Sequence, residues 1–408
     1  MDIDTDTAIN LDTAVDIDAG RLLRDLDELA RFGGRPDGGV DRVAGSPADL
    51  ASRAWLADRL AEAGLAARTD AAGNVFGQVP GARPWLLAGS HTDTVPAGGR
   101  LDGAYGVIAA LEVLRTLHEH GHPAAGALEV VSFWDEEGAG PASAGGLAGS
   151  TAMCAGDHVR DLRAYLELHI EQGPRMERDG LELAVVEGIV GIERHQVVMR
   201  GAANHAGTTP MDERADAGRA AAVVAAAVPD RVLGVDPAMV VNVGHIEFLP
   251  GAPNVVPGEA RLVVEWRGAR DDSLLRAEKE LSALAHDTAE ALGCQGEIRA
   301  VSRKPPAVFD PGLCDLVARA CRAAGGPAGR MHSFAGHDAG VLSAHVPTAM
   351  IFVPSAGGVS HSPLEHTPEP MLARGCRALL AAVAEAAGRG PAGTGGTGGT
   401  ARPPRGEE

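Results

Sequence analysis

This chain lacks a basic surface, a long apolar run and an organised set of cysteines. Aspartate and glutamate outnumber lysine and arginine, 55 to 36, for a formal charge of -19. Nucleic-acid binding needs cations to meet phosphate, so that class is excluded. A small anionic substrate is not excluded, because one local arginine overrides the distant field. No apolar run approaches the roughly 20 residues that cross a bilayer. The opening MDIDTDTAINLDTAVDID has neither the basic nor the apolar segment of a secretory leader. The expectation is a cytoplasmic protein with no membrane partner. The five cysteines (Cys154, Cys294, Cys314, Cys321 and Cys376) form no CxxC pair, so they read as reduced thiols, not as disulfides or a thiolate zinc site. Cys314 and Cys321 fall on one side of a predicted helix and read as buried core thiols. Also missing are a fixed-period repeat and the G-x-S-x-G elbow of a Ser/His/Asp hydrolase.

What is present suffices for two domains: 408 residues, 45% of them apolar. Residues 1–19 are expected to be a disordered acidic tail, and 389–408 a disordered Gly-rich tail. Between them, short apolar runs alternate with helical periodicity. Trp85–Ala88, Leu128–Trp134, Tyr165–Leu168 and Thr348–Val353 read as strands buried on both faces, with helices at about 104–120, 312–324 and 371–388. Ser46-Pro47-Ala48-Asp49 reads as a helix start. The middle is different. Arg194–Arg200, Val240–Glu247 and Glu259–Trp266 alternate like half-buried strands, with helices near 214–228 and 271–292. The fold expectation is an α/β catalytic domain (20–192 plus 308–388), built on a mixed, largely parallel sheet flanked by helices. A smaller α+β lid or dimerisation domain (193–307) is inserted into it.

Ligand sites in open α/β sheets form beyond the carboxyl ends of the strands. Three predicted strands end there in potential metal ligands: His91 with Asp93, Glu136-Glu137, and His169. Asp102 lies in the Gly-rich GGRLDGAYG, and His361 follows another strand in GGVSHSPLEH. A lone histidine is usually a hydrogen-bonded structural residue; five such groups on one rim argue for metal. Three imidazoles and two carboxylates without a thiolate suit zinc, manganese, cobalt or nickel. A decoy is present: His118-Glu119-His120-Gly121-His122 spells HExxH. Gly121 and Pro123 end the helix inside the motif, so it is rejected.

The segments GSHTDTVPAGGRLDGAYG, FWDEEG, ELHIEQGPRME, NHAGTTPM, PNVVP, AGHDAG and SHSPLEHT, in this order, resemble the di-metal aminoacylase and carboxypeptidase-like hydrolases. Within them they resemble the hydantoinase/carbamoylase branch. The resemblance spans roughly residues 20–388. It implies that His91 and His169 hold one divalent cation and Glu137 and His361 the other, with Asp102 bridging. Glu136 would be the general base, with the reverse assignment of Glu136 and Glu137 left open. Asp93 would orient the His91 imidazole. His205 would stabilise the oxyanion, acting in its own or the partner subunit, while Arg267 and Asn254 would take the substrate carboxylate and Gln172 its ureido end. His337-Asp338 would lie near the substrate or form a structural pair. The implied reaction is hydrolysis of the ureido C–N bond of an N-carbamoyl-L-amino acid. The alternatives are allantoate or ureidoglycolate and, behind them, an aminoacylase or peptidase reaction. A homodimer through the lid and hinge motion between domains are also implied. Two departures touch the substrate side, Gly140-Pro141 where the family has an Arg-Phe pair and Phe334 in place of a small residue; a third, milder one is Glu265 in place of an aspartate.

Overall fold

The computed structural model describes residues 15–389. They form two compact units, 15–187 with 308–331 and 336–389, and 188–307 with 332–335. The sequence placed the first crossing at 193. It occurs at Gly188 because one nearly continuous extended stretch, Leu183–Arg200, runs through the boundary and its apolar pattern does not break there. Residues 15–19 are structured, against the expected tail. Ile17 is buried, and Asp18 caps the helix Ala19–Leu29 by accepting from Arg21 N at 2.8 Å. Asp16 pairs with Arg377 at 2.9 Å. These aspartates act as a cap and an ion pair. Arg389, the first residue of the predicted C-terminal tail, ends the helix Glu369–Arg389; the rest of both predicted tails lies outside the described residues.

Fifteen strands are present among the described residues: β1 Ala66–Thr69, β2 Val75–Gln78, β3 Leu86–His91, β4 Leu128–Phe133, β5 Ala164–Ile170, β6 Leu183–Ile189, β7 Gly191–Arg200, β8 Asn204–His205, β9 Val240–Leu249, β10 Val255–Val256, β11 Glu259–Gly268, β12 Gln295–Lys304, β13 Ala307–Val308, β14 Ala328–Ser333 and β15 Thr348–Val353. The larger sheet runs β1-β2-β4-β3-β5-β15-β6-β13, with β14 also on β6. Its four central strands, β4, β3, β5 and β15, are parallel, and antiparallel strands flank them on both sides. These four are buried along their whole length, which is why they read as apolar runs without alternation. The helix Ala104–Glu119 is buried from Ala104 to Leu117. It ends before His122, so the HExxH text does not lie on one helix.

The helix Pro47–Glu62 begins as its sequence says. Ser46 Oγ accepts from Asp49 N at 3.2 Å, and Asp49 reaches back to Gly45 N at 2.9 Å.

In the second unit β12-β7-β11-β9 form an antiparallel sheet. Alternate residues of β11 (Ala260, Leu262, Val264, Trp266) point into a core. They meet Val224, Val228 and Val232 of the helix Ala217–Val235 and Leu274 and Leu281 of the helix Asp271–Ala291. The sequence ended the first of these helices at 228, before Pro229. It continues to Val235 with Pro229 inside, because Val232 extends the same buried stripe past the proline. Strand β12, QGEIRAVSRK, escaped notice because it is mostly exposed and polar; only its pairing with β7 makes it a strand.

Candidate metal centre

The carboxyl ends of β3, β4 and β5 and the loop after β15 bring the expected ligands together. His91 ends β3, and His169 lies within β5, which runs two residues past its predicted end. Two sets of donor atoms share Asp102, namely His91, Asp102 and His169, and Asp102, Glu137 and His361; a third joins Glu167 and His337 to His169. Asp102 belongs to the first two. Its Oδ1 is 3.1 Å from His169 Nε2 and 3.8 Å from His91 Nε2, while its Oδ2 is 3.1 Å from His361 Nε2. Glu137 Oε1 is 3.5 Å from His361 Nε2. Thus the two oxygens of one carboxylate face two different groups of donors.

The remaining ring nitrogens are anchored. His91 Nδ1 lies 3.0 Å from the Asp93 carbonyl and His169 Nδ1 2.9 Å from the Ile170 carbonyl, so both rings turn Nε2 inward. Asp93 therefore meets the His91 ring chiefly through its backbone. Its carboxylate stands 3.6 Å away and accepts from the Glu136 and Glu137 amides at 3.3 and 3.2 Å, shaping the turn that presents both glutamates. Glu136 points to the first group, with Oε2 3.6 Å from His91 Nε2. The two neighbouring glutamates thus diverge. Glu137 sits in a ligand set, and Glu136 sits beside the other one.

Local backbone explains part of this geometry. Gly103 has φ +62, and a Cβ there would lie 2.3 Å from the His91 ring. Only glycine fits between the Asp102 loop and that imidazole. Asp135, Gln172 and His361 all have φ between 51 and 59 without being glycine. Such backbone costs of order 1–3 kcal/mol per residue and persists where surrounding contacts over-determine it.

The electrostatics fit cations. Burial pushes the Glu136 carboxyl well above the usual carboxylate range, with Asp338, Glu137 and Asp102 adding repulsion. Burial, with Asp102, raises Glu137 to about 7. The hydrogen bond from His361 to Asp102 raises that imidazole to about 9. Burial would raise Asp102, but its bonds to His169 and His361 outweigh this and hold it well below its ordinary value. Carboxylates crowded this closely repel one another, and a divalent ion held between them would offset that repulsion. Glu137 Oε1 and Gln172 Oε1 are buried with no hydrogen-bond partner. An all-nitrogen-and-oxygen donor set with such an orphan oxygen suits zinc, manganese, cobalt or nickel.

Gln172 donates from Nε2 to Asp102 Oδ2 at 2.7 Å, so it stands against the bridging carboxylate. His337 packs its ring on His169 with centroids 4.6 Å apart, and Asp338 is fully buried. Glu167 accepts from Ser90 Oγ, Tyr165 Oη and Ala339 N at 2.7, 3.1 and 2.9 Å, tying β3, β5 and the turn after His337 together. Sequence reasoning missed Glu167, although it sits two residues before His169 on the same face of the strand. It also missed Arg53, whose guanidinium bonds Asp49 and the carbonyls of Ser132 and Phe133 just before the Glu136 turn. The Glu167-x-His169 spacing could have found the first; Arg53 has no ligand-type signature in the text.

The second unit holds the other proposed substrate groups. His205 is exposed, and its Nδ1 accepts from Gly207 N at 3.0 Å and Thr208 N at 3.3 Å. An accepting Nδ1 selects the tautomer with its proton on Nε2, so the outer edge of the ring is a donor. Asn254 is exposed beside it, its carbonyl accepting from Ala206 N at 2.9 Å. Arg267 is held by Glu265 Oε1 at 3.0 and 2.9 Å and by the Phe334 carbonyl at 2.9 Å. Two of the three departures noted above, Glu265 and Phe334, thus both contact this guanidinium.

The chain is similar to known proteins along most of its length. A family model described as peptidase family M20/M25/M40 matches residues 87–385. The chain is 33% identical over 398 residues to an N-carbamoyl-L-amino-acid amidohydrolase of Paenarthrobacter aurescens, covering 89% of this chain and 96% of that one. It is 32% identical to an allantoate amidohydrolase of Bacillus subtilis, covering 87% and 94%. A hydantoinase/carbamoylase family amidase from Burkholderia phymatum superposes with a TM-score of 0.82 at 37% identity, covering 92% and 98%.

Proposed function

This chain belongs to peptidase family M20/M25/M40, and from that premise we propose that it is an amidohydrolase cleaving the ureido C–N bond of N-carbamoyl-L-amino acids. The observation that carries the reading is Asp102 shared between two ligand sets, with the carboxylate of Glu136 beside them. The similarity to amidohydrolases acting on non-peptide C–N bonds supports the reaction class. The net chemistry consumes one water and yields the amino acid, ammonia and carbon dioxide.

His91, His169 and Asp102 would hold one divalent ion, and Asp102, Glu137 and His361 the other. When bound, the pair polarises the scissile carbonyl and lowers the pKa of water. Glu136 accepts the proton of the attacking water and delivers it to the leaving nitrogen, a task suited to a carboxylate set apart from the ligands. His205, with Nε2–H as a fixed donor, stabilises the tetrahedral oxyanion. Arg267 meets the substrate carboxylate with the guanidinium edge that Glu265 leaves open, aided by Asn254; Gln172 addresses the ureido end. The working unit is a homodimer joined through the second unit, in the cytoplasm. The unpaired edge of β9, with Val240, Ile246 and Phe248 exposed, supports that association.

The allantoate reading is retained because an allantoate amidohydrolase is nearly as similar. Rates on N-carbamoyl amino acids, allantoate, ureidoglycolate and N-acetyl amino acids, measured after chelation and reloading with Zn, Mn, Co or Ni, test the proposal. Highest kcat/KM on an N-carbamoyl-L-amino acid, lost with the metal and regained with it, is the expected result. Preference for allantoate or for N-acyl substrates would overturn the substrate assignment.

A further inference from the structure

Glu365 is buried, with 6% of its surface exposed, four residues after His361 and outside both ligand sets. Its Oε1 accepts from Leu101 N at 2.8 Å and Asp102 N at 3.1 Å. Its Oε2 accepts from Ser360 Oγ at 2.8 Å. Ser360 Oγ also lies 3.2 Å from Asp102 Oδ2, but a hydroxyl has one proton and Glu365 is the nearer acceptor. One carboxylate therefore grips two loops 264 and 5 residues away in the chain. One loop bears Asp102; the other bears His361, whose backbone stands at φ 53. Gly99 closes the pocket: a Cβ there would sit 2.0 Å from Glu365 Oε1 and 2.1 Å from its Cδ.

We propose that Glu365 is a positioning residue that sets the spacing between Asp102 and His361, and thereby the cation affinity of the Asp102–Glu137–His361 set. This rests on the two-metal reading of the site. Glu365 belongs to none of the donor groups that could hold an ion. It fixes Asp102 by holding the amide of that same residue, and His361 by holding the side chain before it. Partners that orient metal ligands typically carry 10- to 100-fold in metal affinity or activity. A glutamine at 365 reproduces all three contacts, because its carbonyl accepts the two amides and its NH2 donates to Ser360 Oγ.

The test is metal binding, measured with Mn2+ and with Zn2+ by competition against a chromogenic chelator, on Glu365→Ala, Glu365→Gln, Gly99→Ala, Ser360→Ala and Asp102→Asn. Gly99→Ala keeps the charge and displaces the carboxylate, so it serves if Glu365→Ala does not fold. The expected result is one weakened site, by about 10- to 100-fold, in Glu365→Ala and Gly99→Ala. Glu365→Gln should recover most of the affinity, Ser360→Ala should show a smaller loss, and KM at saturating metal should hold. Wild-type affinity in both Glu365→Ala and Gly99→Ala, with Asp102→Asn impaired, would overturn the positioning role alone. Unimpaired binding in Asp102→Asn would overturn the two-metal reading and this inference with it.

Discussion

Glu136 and Glu137 are adjacent in sequence yet meet different partners, and that divergence gives Glu136→Gln a definite outcome. Glutamine keeps the shape, and Glu137 remains in its ligand set. Both metals should be retained while kcat falls by about 10²- to 10⁴-fold. Metal content and turnover measured on one preparation check this; near-normal turnover removes Glu136 as the base. The cysteines give a second outcome at this scale. Burial pushes Cys154 up to about 11 and Cys314 and Cys321 to about 12, and full burial also holds Cys376 well above the ordinary thiol range. A thiol with pKa near 12 is thiolate about once in 10⁴ at pH 8. Only Cys294, half-buried, should react quickly with a thiol reagent in the native protein, and all five after unfolding. Two or more fast native thiols would contradict the burial. All five candidate ligands were legible as residue types at strand ends or in the loops beyond them. Glu365 was not, because its partners are backbone amides and a hydroxyl, which leave no pattern in a sequence.

Elements were legible wherever a stripe or a run is long. The strand Thr348–Val353 and the helices Ala104–Glu119 and Pro311–Ala324 appear within a residue or two of their predicted limits. Errors fall where tertiary contact outweighs local preference. His169 lies inside β5 because pairing with β15 carries that strand two residues beyond its apolar run. The helix Ala217–Val235 tolerates Pro229 because the buried Val224, Val228 and Val232 hold both halves against the sheet. Proline in a helix interior is about 3 kcal/mol worse than alanine. Pro229→Ala restores a backbone donor at a half-buried position and should stabilise the protein by about 1 kcal/mol or more. The guanidinium unfolding midpoint should rise at unchanged m value. An unchanged or lower midpoint would mean that the helix is already relaxed around the ring.

For the whole molecule, the exposed edge of β9 sets an expectation about assembly. An unpaired ten-residue edge strand with Val240, Ile246 and Phe248 each about 40% exposed is a ready template for another strand. A second copy can pair with it isologously. The wild-type chain should sediment as a dimer, and Phe248→Lys should shift it toward monomer by placing a charge on that edge. A monomeric wild type would overturn the proposed assembly. Among the described residues no helix is long and apolar enough to cross a membrane.

Chain order, residue chemistry and periodicity alone point to an α/β unit with a smaller α+β unit inserted in its chain, and to five candidate nitrogen and oxygen ligands at strand ends and in the loops beyond them. These are local properties, written in composition and spacing. Tertiary structure decided that the two oxygens of Asp102 face different ligand sets, that Glu137 and not Glu136 joins one of them, and that Glu365 binds two distant loops together. Those are distances between residues far apart in the chain, set by how parallel strands stack their ends side by side, and no local pattern encodes them.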